Sequence, residues 1–318
     1  MLLFYLYLDV KLISMNVKPI EGIIAAPFTP MDKNGEINPP VISDYAKKLK
    51  KDGLSGVFIC GTTGEGMLMT LEERKIIAQE WIKFQQEDFK VIVHVGTTSV
   101  KQSKELAQHA QQIGAYGTST MGPLFLKPSA IKPLVDFCAA VASAAPDIPF
   151  FYYHIPLIYG AEPSMTDYLE EAKLKIPNFA GIKYTHDNFD EMQKCNAIDN
   201  GKWIVLNGFD ENLFKALNLG VFSAVGSTYN YMNPIYLSMI EDFKAGNREA
   251  AEKKQQKCND MIASLFENGG PMIAGKAIMK WTGVDCGPCR LPLTNLSEKS
   301  ISKLKKVLKA KGFFAMNP

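Results

Sequence analysis

The chain of 318 residues is 47% hydrophobic and 21% charged, with a formal net charge of +2. That near balance excludes a chain organised around a nucleic acid or an anionic membrane surface. Apolar content suffices for the core of one large domain or two ordinary ones, and no run reaches the roughly 20 apolar residues that span a bilayer.

The chain opens with MLLFYLYLDVKLIS, which is apolar but lacks a basic start and a small-residue cleavage site, and carries Asp9 and Lys11 inside it. Two readings stand. Residues 1–14 are an export signal, making the protein secreted, or a dispensable extension ahead of a second start at Met15. Organised sequence begins near Gly22, which sets residues 1–21 apart as an extension.

Eight short apolar runs follow: GIIAAPFT from Gly22, GVFICG from Gly56, KVIVHVG from Lys90 and YGTSTM from Tyr116, then PFFYYHI from Pro149, FAGIKYT from Phe179, WIVLNGFD from Trp203 and FSAVGST from Phe222. Their starts lie 19 to 34 residues apart, room for a strand, a loop and a helix in each repeat. The segments between them are amphipathic. In LEERKIIAQEWIKF, Leu71, Ile76, Ile77 and Trp81 recur near helical spacing, and SVKQSKELAQHAQQIGA behaves alike and ends at Gly114. Strands that are hydrophobic throughout are buried on both faces, as in a parallel sheet. Eight such units in roughly 210 residues predict a TIM (β/α)8 barrel over residues 22–229. An open doubly wound sheet is the alternative, but no dinucleotide glycine fingerprint follows the first strand.

Residues 230–318 read as helices packed on the barrel, with two helices broken at Gly246 and a last one in EKSISKLKKVLKAKG. In that last segment Ile301, Leu304, Val307 and Leu308 share a face, and the lysines are its solvated side. The cysteines, at 60, 138, 195, 258, 286 and 289, fall mostly within apolar stretches. A chain this long needs no disulfide scaffold, which points to a reducing, cytoplasmic location. Cys286-Gly-Pro-Cys289 runs on into RLPLTNLS, where no helix can start, so a thioredoxin-like site is excluded and a surface loop with free thiols is expected.

In a parallel barrel the chemistry lies where strands end. Those ends carry Thr62-Thr63, Tyr153-His154, Lys183 and Thr185, Asp210-Glu211 and Ser227-Thr228. Lys183 is the telling residue, because lysine is rarely buried without a partner and a desolvated ammonium gives up its proton readily. An amine so placed attacks carbonyls; pairing with a carboxylate is the other way to bury it. GTTGEG, residues 61–66, forms a tight loop whose amides and hydroxyls suit an anion, although it lacks the ending of a P-loop and an ordinary turn reads equally well. Tyr153 is either a core tyrosine or, beside the lysine, a proton relay. His94, His109 and His154 read as structural, and with no acidic cluster beside them no metal is assigned.

GTTGEG, YHIP, GIKYT, GFDE and GSTYN, in this order, resemble the pyruvate-dependent class I aldolases of the N-acetylneuraminate lyase and dihydrodipicolinate synthase family. The likeness runs from about Gly22 to near the C-terminus. It implies a homotetramer needing no cofactor and no metal, with small-molecule substrates only. It also implies roles. Lys183 forms a Schiff base with the substrate ketone, Thr62 and Thr63 hold its carboxylate, and Tyr153 relays the proton. Thr185 touches the sugar portion, and Gly208, Asp210, Glu211 and Ser227 hold its polyhydroxy chain. FYYHIP, GFDENL and GSTYNY lean to the lyase branch, whose reaction is the reversible cleavage of N-acetylneuraminate to N-acetylmannosamine and pyruvate. An aldolase for another 2-keto-3-deoxy sugar acid is the alternative. The synthase branch carries an arginine five residues after the tyrosine to grip a second carboxylate; here Ile158 stands there, and an apolar side chain cannot replace it.

Overall fold

A computed structural model describes Val17 and residues 20–316; the N-terminal segment MLLFYLYLDVKLIS lies outside the described residues. The elements alternate along the chain: β1 (Gly22–Ala25), α1 (Val41–Lys51), β2 (Gly56–Ile59), α2 (Leu71–Ile82), β3 (Lys90–His94), α3 (Val100–Gln112), β4 (Gly117–Thr120) and α4 (Ile131–Ala142). Then come β5 (Phe150–His154), α5 (Pro156–Tyr159), α6 (Met165–Lys175), β6 (Phe179–Tyr184), α7 (Phe189–Ala197), β7 (Ile204–Asn207), α8 (Leu213–Asn218) and β8 (Ser223–Gly226). The C-terminal helices are α9 (Tyr229–Lys244), α10 (Arg248–Phe266), α11 (Gly270–Met279), α12 (Glu298–Ala310) and α13 (Phe313–Met316). All eight strands pair in parallel in chain order and β8 closes on β1, so the sheet is a TIM barrel with a helical extension at its C-terminus. The open-sheet alternative falls.

Two apolar layers follow from the period-2 alternation of each strand. Ile24, Phe58, Ile92, Phe151, Tyr153, Leu206 and Val225 fill the barrel interior. Ile23, Val57, Val91, Tyr152, Ile182 and Val205 face outward and pack in the larger core shared with the helices. Helix starts are chemically marked. Thr70 and Glu73 form a reciprocal capping box at α2, and Ser99, Ser164, Asn188 and Ser297 cap α3, α6, α7 and α12.

Some expectations hold and others are corrected. The chain breaks between α9 and α10, where Gly246 adopts φ +82°. In α12, Leu304 and Leu308 are the buried pair, with Ile301 and Val307 half-buried beside them. In α2 the inward stripe is Arg74, Ile77, Ala78 and Trp81, whereas Ile76 is 41% exposed. Arg74 joins that stripe and Ile76 does not. Cys286 and Cys289 are not on a surface loop; both are buried, as are the other four cysteines, and none is bonded to another. Burial pushes the Cys286 thiol up to about 12 and that of Cys289 up to about 11, so both stay protonated and inert at neutral pH.

Candidate active site

Strand register assembles the centre of the site. Tyr153 on β5 pairs directly with Lys183 on β6, and both side chains are buried at 4% and 5% exposure. The Lys183 ammonium nitrogen lies 4.1 Å from the centre of the Tyr153 ring and 4.5 Å from that of Phe58 on β2. Aromatic faces attract the ammonium without the fixed geometry of an ion pair. Among the described residues no carboxylate forms an ion pair with Lys183. Tyr153 is fixed edge-on against Phe58 at 5.6 Å and against His94 at 5.9 Å. Its hydroxyl lies 3.4 Å from the Thr62 hydroxyl, which joins the GTTGEG loop to the lysine.

That loop turns tightly around the end of β2. Cys60 and Glu65 both take positive φ, and a Cβ on Gly66 would stand 1.8 Å from the Cys60 carbonyl oxygen, so glycine is obligatory there. Gly66 donates to the Gly61 carbonyl and Glu65 to that of Thr62, while the Gly64 carbonyl accepts from the Thr29 hydroxyl at 2.6 Å. The amides of Thr62 and Thr63 have no acceptor among the described residues. Two adjacent free amides beside two hydroxyls suit a carboxylate.

The opposite side, at β7 and β8, is built differently. Asp210 is buried, and its Oδ2 accepts from the Thr228 amide at 2.8 Å and from the Thr228 hydroxyl at 2.6 Å. A Cβ on Gly226 would overlap Asp210 Oδ1 at 1.7 Å, so the aspartate packs directly on the β8 backbone. Burial raises the Asp210 carboxyl, against the hydrogen bonds of Thr228 and the charge of Lys183. Burial, with Asp210 adjoining, raises Glu211 to about 7. Gly208 lies against Thr185, whose Oγ1 a Cβ at that position would meet at 1.9 Å. The Thr185 hydroxyl is buried and has no hydrogen-bond partner among the described residues. Ser227 is half-buried, and its carbonyl accepts from Asn230 Nδ2 at 2.7 Å. Beside Thr185 opens a cavity of about 530 Å³, lined also by Pro156, Glu162, His186 and Phe209.

The sequence residues thus fall into two groups. Lys183 touches Tyr153, whose hydroxyl reaches Thr62, and Thr185 with Gly208 forms a second contact; Asp210 is committed to Thr228. Several supporting residues were not read from the sequence. Phe58 supplies an aromatic wall. Glu65, inside GTTGEG, accepts from Lys276 on α11 at 2.6 Å and from the Arg290 amide at 2.7 Å, anchoring the loop to the C-terminal segment. Both charged groups of the Glu65–Lys276 pair are 1% exposed. Arg74 donates to the carbonyls of Gly96 at 2.8 Å and His94 at 2.5 Å. An arginine in phase with the buried stripe of α2 was its only signal. His94 is buried, and burial together with Arg74 and Lys183 holds its imidazole well below the ordinary range, hence neutral.

A buried, inward-facing lysine, a tyrosine hydroxyl beside it and a tight loop with two free amides meet at the strand ends of a TIM barrel. The chain belongs to the dihydrodipicolinate synthetase family, whose model matches residues 19–311. Among its relatives, the N-acetylneuraminate lyase of Xenopus tropicalis is 41% identical over 279 residues, covering 87% of this chain and 91% of the relative. That of Homo sapiens is 38% identical over 304 residues, covering 94% of each. Among solved structures, the Proteus mirabilis N-acetylneuraminate lyase superposes with a TM-score of 0.90 at 38% identity, covering 93% of this chain and 100% of that one.

Proposed function

We propose that this chain is a class I aldolase that reversibly cleaves N-acetylneuraminate to N-acetylmannosamine and pyruvate. One observation carries the reading: the Lys183 amine lies over the ring of its register partner Tyr153, whose hydroxyl reaches Thr62. In the reaction Lys183 attacks the ketone of the open-chain sugar acid, and loss of water gives a protonated imine. Tyr153 takes the proton from the hydroxyl on the carbon β to the imine as the bond between the α and β carbons breaks. The bonding electrons move into the imine, leaving an enamine, and the aldehyde N-acetylmannosamine departs. Protonation of the enamine carbon and addition of water release pyruvate and the free lysine. Thr62 and Thr63 hold the carboxylate throughout, while Thr185, Gly208, Asp210, Glu211 and Ser227 border the sugar.

Ile158 supports the lyase branch over the synthase branch. It is 48% exposed on α5 and lines an apolar cavity of about 240 Å³ with Thr62, Met121 and Leu124, where a dicarboxylic partner would need a cation. Pyruvate release from N-acetylneuraminate, set beside release from a 2-keto-3-deoxy-gluconate, tests the substrate; a higher kcat/KM on the latter would overturn it. We also propose a homotetramer in the cytoplasm. The exposed Phe125, Leu126 and Leu157, each at least 81% accessible, supply apolar surface for assembly, and six unbonded cysteines suit a reducing compartment. Among the described residues no helix is long and apolar enough to cross a membrane. Light scattering of the purified protein reports the assembly, and a monomer would sink that part.

A further inference from the structure

The outward face of the strands that carry Tyr153 and Lys183 holds a second cluster. His154 ends β5, Tyr184 ends β6, and the two are register partners one step beyond Tyr153 and Lys183. Alternation along the strands turns them away from the barrel interior, toward α6 and α7. We propose that His154, His186 and Glu191 form a binding site for a divalent transition metal of the zinc class on this outer wall. One ligand atom from each of the three lies within 4.8 Å of the others.

The donors are suited and prepared. His154 is 1% exposed, and its Nε2 is buried without a hydrogen-bond partner among the described residues. A buried polar nitrogen left in this way is costly unless something accepts or donates to it. Its ring is held against that of Tyr184 at 5.0 Å and stands edge-on to His186 at 5.6 Å. Glu191, in the first turn of α7, is oriented from both sides: its Oε1 accepts from the Met165 amide at 2.8 Å and its Oε2 from the Tyr184 hydroxyl at 2.9 Å. Each carboxylate oxygen has two lone pairs, so one remains for a metal. Hydrogen bonds of this kind are what orient metal-binding carboxylates.

The field favours a cation. His186 Nε2 lies 3.3 Å from a Glu162 oxygen and 3.4 Å from one of Asp187. Among the described residues none of Glu162, Asp187 and Glu191 pairs with a lysine or arginine. Three carboxylates around two imidazoles leave a negative pocket, and two nitrogens with one oxygen is a ligand set that zinc accepts. Zinc–nitrogen bonds of about 2.0–2.1 Å in tetrahedral geometry put ligand atoms ~3.3 Å apart. The gap to close is at most ~1.5 Å, and half-buried His186 and Glu191, in a loop and an opening helix turn, can close it onto the fixed His154. A bound ion would tie the ends of β5 and β6 to α7, directly behind the lysine and tyrosine. The ligands come from a strand, the loop after β6 and a helix, which is why no linear motif announced them, and the acidic cluster that the sequence lacked around His154 is supplied through the fold.

Equilibrium dialysis of the untagged full-length protein against Zn²⁺, with Co²⁺ spectroscopy, is the test. The expected result is one Zn²⁺ per chain, a Tm raised by the metal, and a Co²⁺ d–d band of tetrahedral intensity without a thiolate charge-transfer band. His186→Asn and Glu191→Gln should each weaken binding at least tenfold while leaving the metal-free Tm near that of the wild type. His154→Gln is a secondary variant because it alters a buried position. Absence of saturable binding in the wild type, affinity unchanged in both peripheral variants, or a thiolate band would overturn the site and leave His154 as a ring packed on Tyr184.

Discussion

The two sides of the barrel mouth solve different problems. On the β2–β5–β6 side the functional atoms are kept uncommitted: Lys183 rests between ring faces, and the Thr62 and Thr63 amides point to no protein acceptor among the described residues. On the β7–β8 side the most conspicuous acid, Asp210, already accepts two hydrogen bonds from Thr228. Reactive groups must have free lone pairs and protons, so rigid, apolar neighbours position them. The β7–β8 loops, proposed to border the sugar, are instead held still by a buried carboxylate tied to the next strand end. Asp210 therefore serves first as a brace for the loop bearing Ser227, whatever further contact it makes.

The strongest test of this division is Lys183→Ala, which should lower kcat by ~10⁴-fold or more. Treatment with pyruvate and borohydride should add one pyruvyl unit to the wild type, on Lys183, and none to the variant. An active variant would refute the imine. Next comes Tyr153→Phe, which keeps the ring against Lys183 but removes the hydroxyl near Thr62. Cleavage should fall by about 10²–10⁴-fold, while borohydride still traps pyruvate on Lys183. Equal loss of trapping and cleavage would mean that the tyrosine positions the amine rather than moving protons.

On the other side, Asp210→Ala strands the Thr228 amide in a buried setting and leaves its hydroxyl only Tyr236, at a cost of about 1–3 kcal/mol. Tm should drop and KM for the sugar acid rise, with the rate of pyruvate trapping unchanged. Slower trapping would erase the distinction between the two sides.

What the sequence disclosed follows the same line. Strand ends were legible because a parallel barrel puts its runs of buried residues in chain order, and Lys183 stood out as a charge in such a run. GTTGEG was legible as a tight loop because glycine is the residue a close backbone approach requires, as at Gly66. Partnerships over long separations were not. Glu65 with Lys276, 211 positions apart, and Arg290 with Glu73, 217 apart, have no local signature. Nor could the alternation of α2 reveal that Arg74, rather than Ile76, turns inward, since a buried arginine depends on carbonyls offered by β3 and the segment after it. The buried thiols of Cys286 and Cys289 escape for the same reason: their segment has no regular structure, yet its backbone bonds to Met31 and Glu65, far away in the chain.

The smallest expected effect concerns Glu211. Its carboxyl is raised from an ordinary 4.5 to about 7 by burial and by Asp210. A carboxyl whose folded value exceeds its unfolded one keeps its proton longer in the native state, so its contribution to stability is full below pH 4.5 and is lost as pH rises through 7. Substrate binding should run the other way, because ionised Glu211 is the better acceptor for sugar hydroxyls; KM should fall as pH rises across the same range. Glu211→Gln, neutral at every pH, should flatten both trends, changing the pH dependence of Tm by roughly 2–4 °C. Measuring Tm and KM from pH 5 to 8 in both proteins separates the two sides of the mouth once more: the difference should appear in sugar binding and stability and be absent from the rate of pyruvate trapping on Lys183. If trapping carries the same midpoint as KM, the titrating group acts on the amine itself and the two sides are electrostatically one site.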